Sequence, residues 1–143
     1  MVTLIRREFR VAAPVRKAWD HLSHVSRWPS WAQHIRAIEV EPAGAIQLGS
    51  RGRIRLKNGV KSEFTVVEVN ELSNWKWVGR FLWLMVHYDH RFEPSGGGHT
   101  RLVWIISAEG AGVKTLGRIF AVVYRRSMER AIPFLVAEME QGC

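Results

Sequence analysis

The chain has 143 residues, 47% of them hydrophobic and 24% charged, with a formal net charge of +8 and a pI near 10.6. That length allows one domain (1–143) with a sizeable core and excludes two well-formed ones, while the composition excludes a disordered or low-complexity chain. The charge favours anionic partners but does not bear on the fold.

Residues 3 to 12 alternate, with Ile5, Phe9 and Val11 on one side and Arg6, Glu8 and Arg10 on the other, which predicts a half-buried strand. In "AAPVRKAWDHLSH", Pro14 suits a first helical turn, and Val15, Trp19 and Leu22 share one helical face. The segment "RWPSWAQHI", residues 27 to 35, interrupts that helix because Pro29 disfavours helical backbone at Trp28. "IRAIEVEP" then reads as a strand, and "AGAIQLGSRGRIRLKNGVK" as a hairpin with Asn58 and Gly59 at its tip. Strands follow at 61–70, 75–83, 85–93 and 100–109, joined by the turn-like "NELSN" and "PSGGGH". After Gly110 and Gly112 the period turns helical. Val113, Leu116, Phe120, Val123, Ser127, Ala131, Leu135 and Met139 trace one stripe, and Pro133 is expected to bend the helix.

The order is therefore strand, short helix pair, about six strands and a long helix, an α+β pattern. An antiparallel meander with one apolar face needs a cover, and the C-terminal helix, roughly 45 Å long, is the available one. A curved sheet around one helix tends to leave a cavity. Seven tryptophans, each burying roughly 150–250 Å², must line such a cavity, a core or an interface.

"AAPVRKAWDHLSHVSRWPSW", "LGSRGRI", "VHYDHRFEPSGGGHTRLVW" and the "EG" before the last helix resemble the polyketide cyclase/dehydrase-like group of the START and pollen-allergen superfamily (SRPBCC). The resemblance spans essentially the whole chain through Ala13-Pro14, Trp19, Trp28-Pro29, Trp31, Gly49, Trp77, Phe92, Gly98 to Thr100 and Gly110. It implies a helix-grip fold, in which a curved antiparallel sheet of about seven strands wraps a long C-terminal helix around a deep apolar pocket. It also implies that Trp28 and Trp31 sit on a short helical connection closing one end of that pocket. Members include aromatase/cyclases, lipid carriers and hormone receptors, so the likeness transfers no single reaction. One position departs: His24 stands where similar sequences often carry an aspartate, which puts the polar role of that carboxylate in doubt here.

The strand "MVHYDHRF" concentrates polar chemistry. Alternation sends Val86, Tyr88, His90 and Phe92 to the inner face and His87, Asp89 and Arg91 to solvent, so the two histidines cannot chelate one metal. His90 and Tyr88 are the candidate catalytic or ligand-orienting groups. The expected ligand lining is Trp28, Trp31, Trp77, Phe81, Tyr88, His90, Phe92, Trp104, Phe120, Tyr124 and Ser127, although "TRLVWIIS" leaves the face of Trp104 open. His21 and His24 share a helical face but lack a third ligand, and "EGAGVKTLG" fits neither phosphate-loop pattern, leaving a weak anion site near Lys114 as the alternative to a plain turn. The residues call for no metal and no cofactor.

Arg51, Arg53, Arg55 and Lys57 share one sheet face, where they could meet an anionic membrane or simply keep the sheet soluble. Nucleic acid is disfavoured because the aromatics do not interleave with these cations. The one cysteine, Cys143, gives no disulfide framework and no expectation of a catalytic thiol. "MVTLIRREFR" lacks a signal-peptide core, and the longest apolar run, "FLWLMV", is far below the roughly 18 residues of a membrane span, so a cytoplasmic location is expected. Three functions stay open: a monomeric or homodimeric carrier of a hydrophobic lipid, polyketide or aromatic metabolite; a cyclase or dehydratase using the same pocket; and a basic surface module.

Overall fold

A computed structural model describes residues 1–141; Cys143 lies outside them. The elements run β1 (Val2–Val11), α1 (Val15–Ser23), a 3₁₀ turn (Val25–Ser30), β2 (Ile35–Glu41), β3 (Arg51–Leu56), β4 (Lys61–Asn70), β5 (Asn74–Phe81), β6 (Leu84–Pro94), β7 (Thr100–Glu109) and α2 (Val113–Glu140). All seven strands form one curved antiparallel sheet in the order β1-β7-β6-β5-β4-β3-β2, which with the long C-terminal helix is the α+β helix-grip fold.

Alternation decides which side chains meet on the inner face. One row across the sheet carries Gly52, Phe64, Gly79, Val86 and Ala108, another Val66, Trp77, Tyr88, Ile106 and Ile5, and a third Trp75, His90 and Trp104. The first row is small for a reason. The Phe64 ring lies across Gly52, so a methyl group there would run into it, and the same ring stacks on Trp77 at 4.1 Å. Trp104 thereby falls on the inner face, where it is 8% exposed. On the outer face Asp89 is more enclosed than alternation suggests: its carboxylate accepts from Asn74 Nδ2 at 2.8 Å and from Arg91 at 2.8 Å, a polar cluster that shields it from solvent.

The end of α1 explains the tryptophan-proline segment. A helix leaves its last carbonyls without intrahelical partners, and here other groups take them up. His24 Nδ1 donates to the Asp20 carbonyl at 2.7 Å, Ile46 N–H to Ser23 at 2.9 Å, and Trp28 Nε1–H to Leu22 at 2.9 Å. His24 therefore caps the helix end without a carboxylate. Trp28 and Pro29 lie inside the 3₁₀ turn, the short helical connection that the resemblance implies, and Trp31 follows directly after it.

The long helix α2 is unbroken through Pro133. Its second half buries Met128, Ala131, Ile132, Leu135 and Met139, and it is tied down by Glu138, which meets His21 Nε2 at 3.1 Å and accepts from Ser30 Oγ at 3.0 Å. Glu140 accepts from the Ala12 backbone N–H at 2.8 Å, and Glu129 from Arg7 Nε at 2.6 Å. The first half buries only Gly117 fully, where α2 comes so close to β1 that a Cβ would sit 2.9 Å from Leu4 Cδ2. Helical spacing puts Val123 on the inner stripe, but it is 64% exposed, because the stripe turns toward Tyr124 and Met128.

Replacing Trp28 by Phe keeps the ring packing and removes the donor to Leu22. A buried acceptor left without its partner costs about 1–3 kcal/mol, so denaturant unfolding of Trp28→Phe should show that loss with an unchanged m-value. An unaltered midpoint would show that the bond does not hold the turn.

Candidate functional site

Between the 3₁₀ turn, the inner sheet face and α2 lies a cavity of about 40 Å³. Of the side chains expected to line a pocket, it gathers Trp28, Trp31, Tyr88, His90, Trp104 and Tyr124. His34 and Ile35 after the turn, Ile106 on β7, and Met128 and Ala131 on α2 complete much of the wall. The α2 positions were legible in principle, since Tyr124, Met128, Ala131 and Leu135 follow i, i+4, i+7, i+11 spacing.

The other expected lining residues serve the core. Trp77 stacks on Phe64, and Phe92 packs at 5.0 Å from Trp19 beneath α1. Phe81 and Phe120 meet each other at 5.0 Å toward the start of α2, and Ser127 lies half-buried beside Met128 without joining the wall. Long strands carried the right face but not the depth along it.

The cavity is smaller than the deep apolar pocket that the resemblance implies. A cavity of this volume exceeds the ~10–15 Å³ that one water needs, yet falls well short of the ~150 Å³ that takes a benzene. The reason is visible in the rings themselves. Trp28 packs 5.2 Å from Trp31 and 5.3 Å from Trp77, Trp31 stacks at 6.2 Å on Trp104, and Trp104 meets Phe9 edge-on at 4.9 Å. The tryptophans that could surround a ligand instead occupy much of its space.

Burial favours the uncharged form of His90 and of both tyrosines on the wall, while Asp89, also in the lining, turns its carboxylate to Arg91 and Asn74. Burial pushes the His90 imidazole down to about 4, outweighing the Trp75 carbonyl and the Asp89 carboxylate that favour its protonated form. His90 Nδ1–H donates to that carbonyl at 3.3 Å while the ring stacks on Trp75 at 4.6 Å, so the neutral tautomer keeps Nε2 as an acceptor. Burial likewise pushes Tyr124 up to about 12 and Tyr88 upward, and lowers His34. Trp104 Nε1 is buried without a hydrogen-bond partner. A site built this way supplies few proton-transfer groups.

The remaining polar features lie elsewhere. Arg53 pairs with Glu63 at 3.3 Å and Arg55 with Glu39 at 3.1 Å across β3's two neighbours, while Arg51 and Lys57 are exposed. His21 is engaged by Glu138 and His24 by Asp20, and among the described residues no three His, Cys, Asp or Glu side chains gather as a metal would require. Gly112 caps α2 in a left-handed conformation, φ 72°, and Gly110 turns tightly against Leu84, so the glycines near Lys114 make the passage into the helix.

A family model described as polyketide cyclase/dehydrase and lipid transport matches residues 3–140. No curated protein matches the sequence. Among solved structures, the chain is similar to hypothetical protein jhp0584 of Helicobacter pylori, with 17% identity, a TM-score of 0.76, and 94% of this chain and 86% of that one covered. A protein of Thermobifida fusca solved by NMR gives 17% identity, a TM-score of 0.76 and coverage of 97% and 93%. DynU16, a protein in the dynemicin biosynthetic locus, gives 17% identity and a TM-score of 0.70, with 96% of this chain spanning 47% of that one. At these identities the likeness is one of fold.

His90 ties stability to pH. Its folded value lies below the ordinary histidine value of 6.5, so the unfolded chain takes up the proton first and stability falls as pH drops from about 6.5 to about 4. Each pH unit between those two values corresponds to about 1.4 kcal/mol, so the loss across the window is on the order of 3 kcal/mol. His90→Phe, which keeps an aromatic ring against Trp75, should flatten the decline in unfolding free energy. Parallel curves for the two proteins would remove His90 as the cause.

Proposed function

Because the chain belongs to the polyketide cyclase/dehydrase and lipid transport family of the SRPBCC superfamily, we propose that it binds an uncharged hydrophobic small molecule in the tryptophan-lined cavity, acting as a carrier or binding protein. The observation that carries this reading is the wall itself: aromatic surface from the 3₁₀ turn, β6, β7 and α2 converges on a space left unfilled, next to an indole N–H with no partner. A buried unsatisfied donor costs about 1–3 kcal/mol. A ligand carbonyl or hydroxyl oxygen reaching Trp104 Nε1 would recover that cost, and His90 Nε2 could accept from a ligand hydroxyl. An anionic head has no charged partner on this wall and is disfavoured.

Entry requires the cavity to widen. Trp31 is the side chain best placed to yield, since it lies just after the 3₁₀ turn and stacks on Trp104 from the turn's side. The first half of α2 is the complementary wall, bringing Tyr124 against Tyr88 at 5.9 Å with little else buried.

The family description also admits cyclase or dehydrase chemistry. Against it, a general base works best with a value near the operating pH, and burial drives His90 well below that while the tyrosines hold their protons. Binding is favoured over turnover on that ground. The β3 cations argue less for a surface module, since Arg53 and Arg55 are already paired with carboxylates.

The test uses N-phenyl-1-naphthylamine, an uncharged apolar fluorophore. The wild-type protein should enhance its emission, and Trp31→Ala, which vacates an indole's volume beside the cavity, should bind it several-fold more tightly despite lower stability. Enhancement by neither protein would refute the reading, as would a Trp31→Ala variant that stays folded and binds the probe more weakly.

A further inference from the structure

The first half of α2 presents a second face that the cavity does not use. Ile119, Val122 and Val123 are 61%, 64% and 64% exposed, and helical spacing places them on the side opposite Gly117 and Tyr124. The β5–β6 hairpin adds two more apolar side chains, Leu82 and Trp83, each 63% exposed. The hairpin is fixed beside the helix: Trp83 Nε1–H donates to the Ala111 carbonyl at 2.7 Å, and Phe81 packs on Phe120 at 5.0 Å.

The turn chemistry is unfavourable for folding alone. Phe81 pairs with Leu84, so Leu82 and Trp83 form a two-residue loop, the setting in which Asn-Gly is preferred because positive φ is needed. Leu82 adopts φ 55° with its side chain in water. Glycine or asparagine would take this conformation at lower cost. Neither solubility nor backbone geometry favours Leu-Trp at this tip.

Cations dominate the charge around the patch, with Glu109 opposite Met85 at the hairpin base as the acidic neighbour. Lys114, Arg118, Arg125 and Arg126 lie in the first half of α2, Arg80 lies on β5, and residues 110 to 128 contain no Asp or Glu. None of these five cations has an ion-pair partner among the described residues, a state they share with Arg51, Lys57 and Arg130 but not with Arg7, Arg53, Arg55 or Arg101. Lys114 and Arg118 also stand near the positive end of the helix dipole, where acidic residues would be stabilising.

We propose that this surface docks the protein on an anionic lipid bilayer, with Leu82 and Trp83 seated at headgroup depth and the cations of α2 and Arg80 facing lipid phosphates. Exposed tryptophan suits that interface, since its ring is large and apolar while its N–H, bonded to Ala111, carries no unmet donor into the lipid. Interfacial attachment combines buried apolar area with attraction to anionic headgroups, the two features found together here. A second copy is the poorer occupant because symmetric pairing would set these unpaired cations against one another.

Co-sedimentation tests the assignment, using vesicles of phosphatidylcholine alone and of equal parts phosphatidylcholine and phosphatidylglycerol. The protein should sediment with the anionic vesicles and largely remain free of the neutral ones. Binding should weaken at least about tenfold as salt rises from about 0.1 to about 1 M, where the Debye length contracts from ~10 to ~3 Å. The double variant L82S/W83S and the charge reversal R118E/R125E should each lose binding while remaining folded, and R51Q/R53Q/R55Q should retain it. If L82S/W83S fails to fold, W83S alone provides the same comparison. Equal binding to both vesicles, retention by the tip variant, or loss on altering β3 would overturn the proposal. So would solution dimers that the tip variant dissociates, which would give the face to a second copy.

Discussion

Trp28 is the residue on which the arrangement of the rest depends. Its N–H occupies the Leu22 carbonyl at the end of α1, and its ring reaches Trp31, Trp77 and His90 at 5.2, 5.3 and 5.9 Å. One side chain thus joins the helix end, the connecting turn and the middle of the sheet. Small energies accumulate at this point, since aromatic pairs contribute about 0.5–1.5 kcal/mol beyond burial and several share the same rings. Without that link the turn has no strong reason to lie over the sheet, and the cavity loses one wall.

The same packing that closes the cavity limits what it can hold. Rigid indoles fill space well and leave about 40 Å³ unfilled, enough for water and too little for a metabolite. Function then depends on which wall is least firmly held. The second half of α2 is anchored by five buried side chains and by Glu129, Glu138 and Glu140, while the first half has Gly117 fully buried and packs Val113, Leu116, Phe120, Ala121 and Tyr124 only partly buried against the core. Burial that is uneven along one helix means opening free energy that is uneven too. Widening at the first half would expose Tyr88 and Trp104 without disturbing the capped end of α1.

Much of this architecture was legible in the residues. Period-2 alternation located the strands to within a few positions, and the helical stripe found α2, because both follow from local geometry. Along the strands the side was right and the depth was not. Phe92 and Trp77 point inward as alternation requires, yet they lie under α1 and against Phe64, and only the packing of distant segments sets those neighbours. His24 shows the limit differently. Its capping of Asp20 depends on where the chain turns after α1. The cavity's size was least legible, since it is a small difference between the volume enclosed and the volume of the rings within it.

Hydrogen exchange along α2, followed by mass spectrometry in the absence of ligand, tests the central claim that the narrow cavity widens through its less buried wall. Amides of residues 114–127 should exchange through local opening markedly faster than those of 128–139, and addition of a bound neutral ligand should slow the first set selectively. Uniform protection along the helix, with both halves exchanging only on global unfolding, would contradict it.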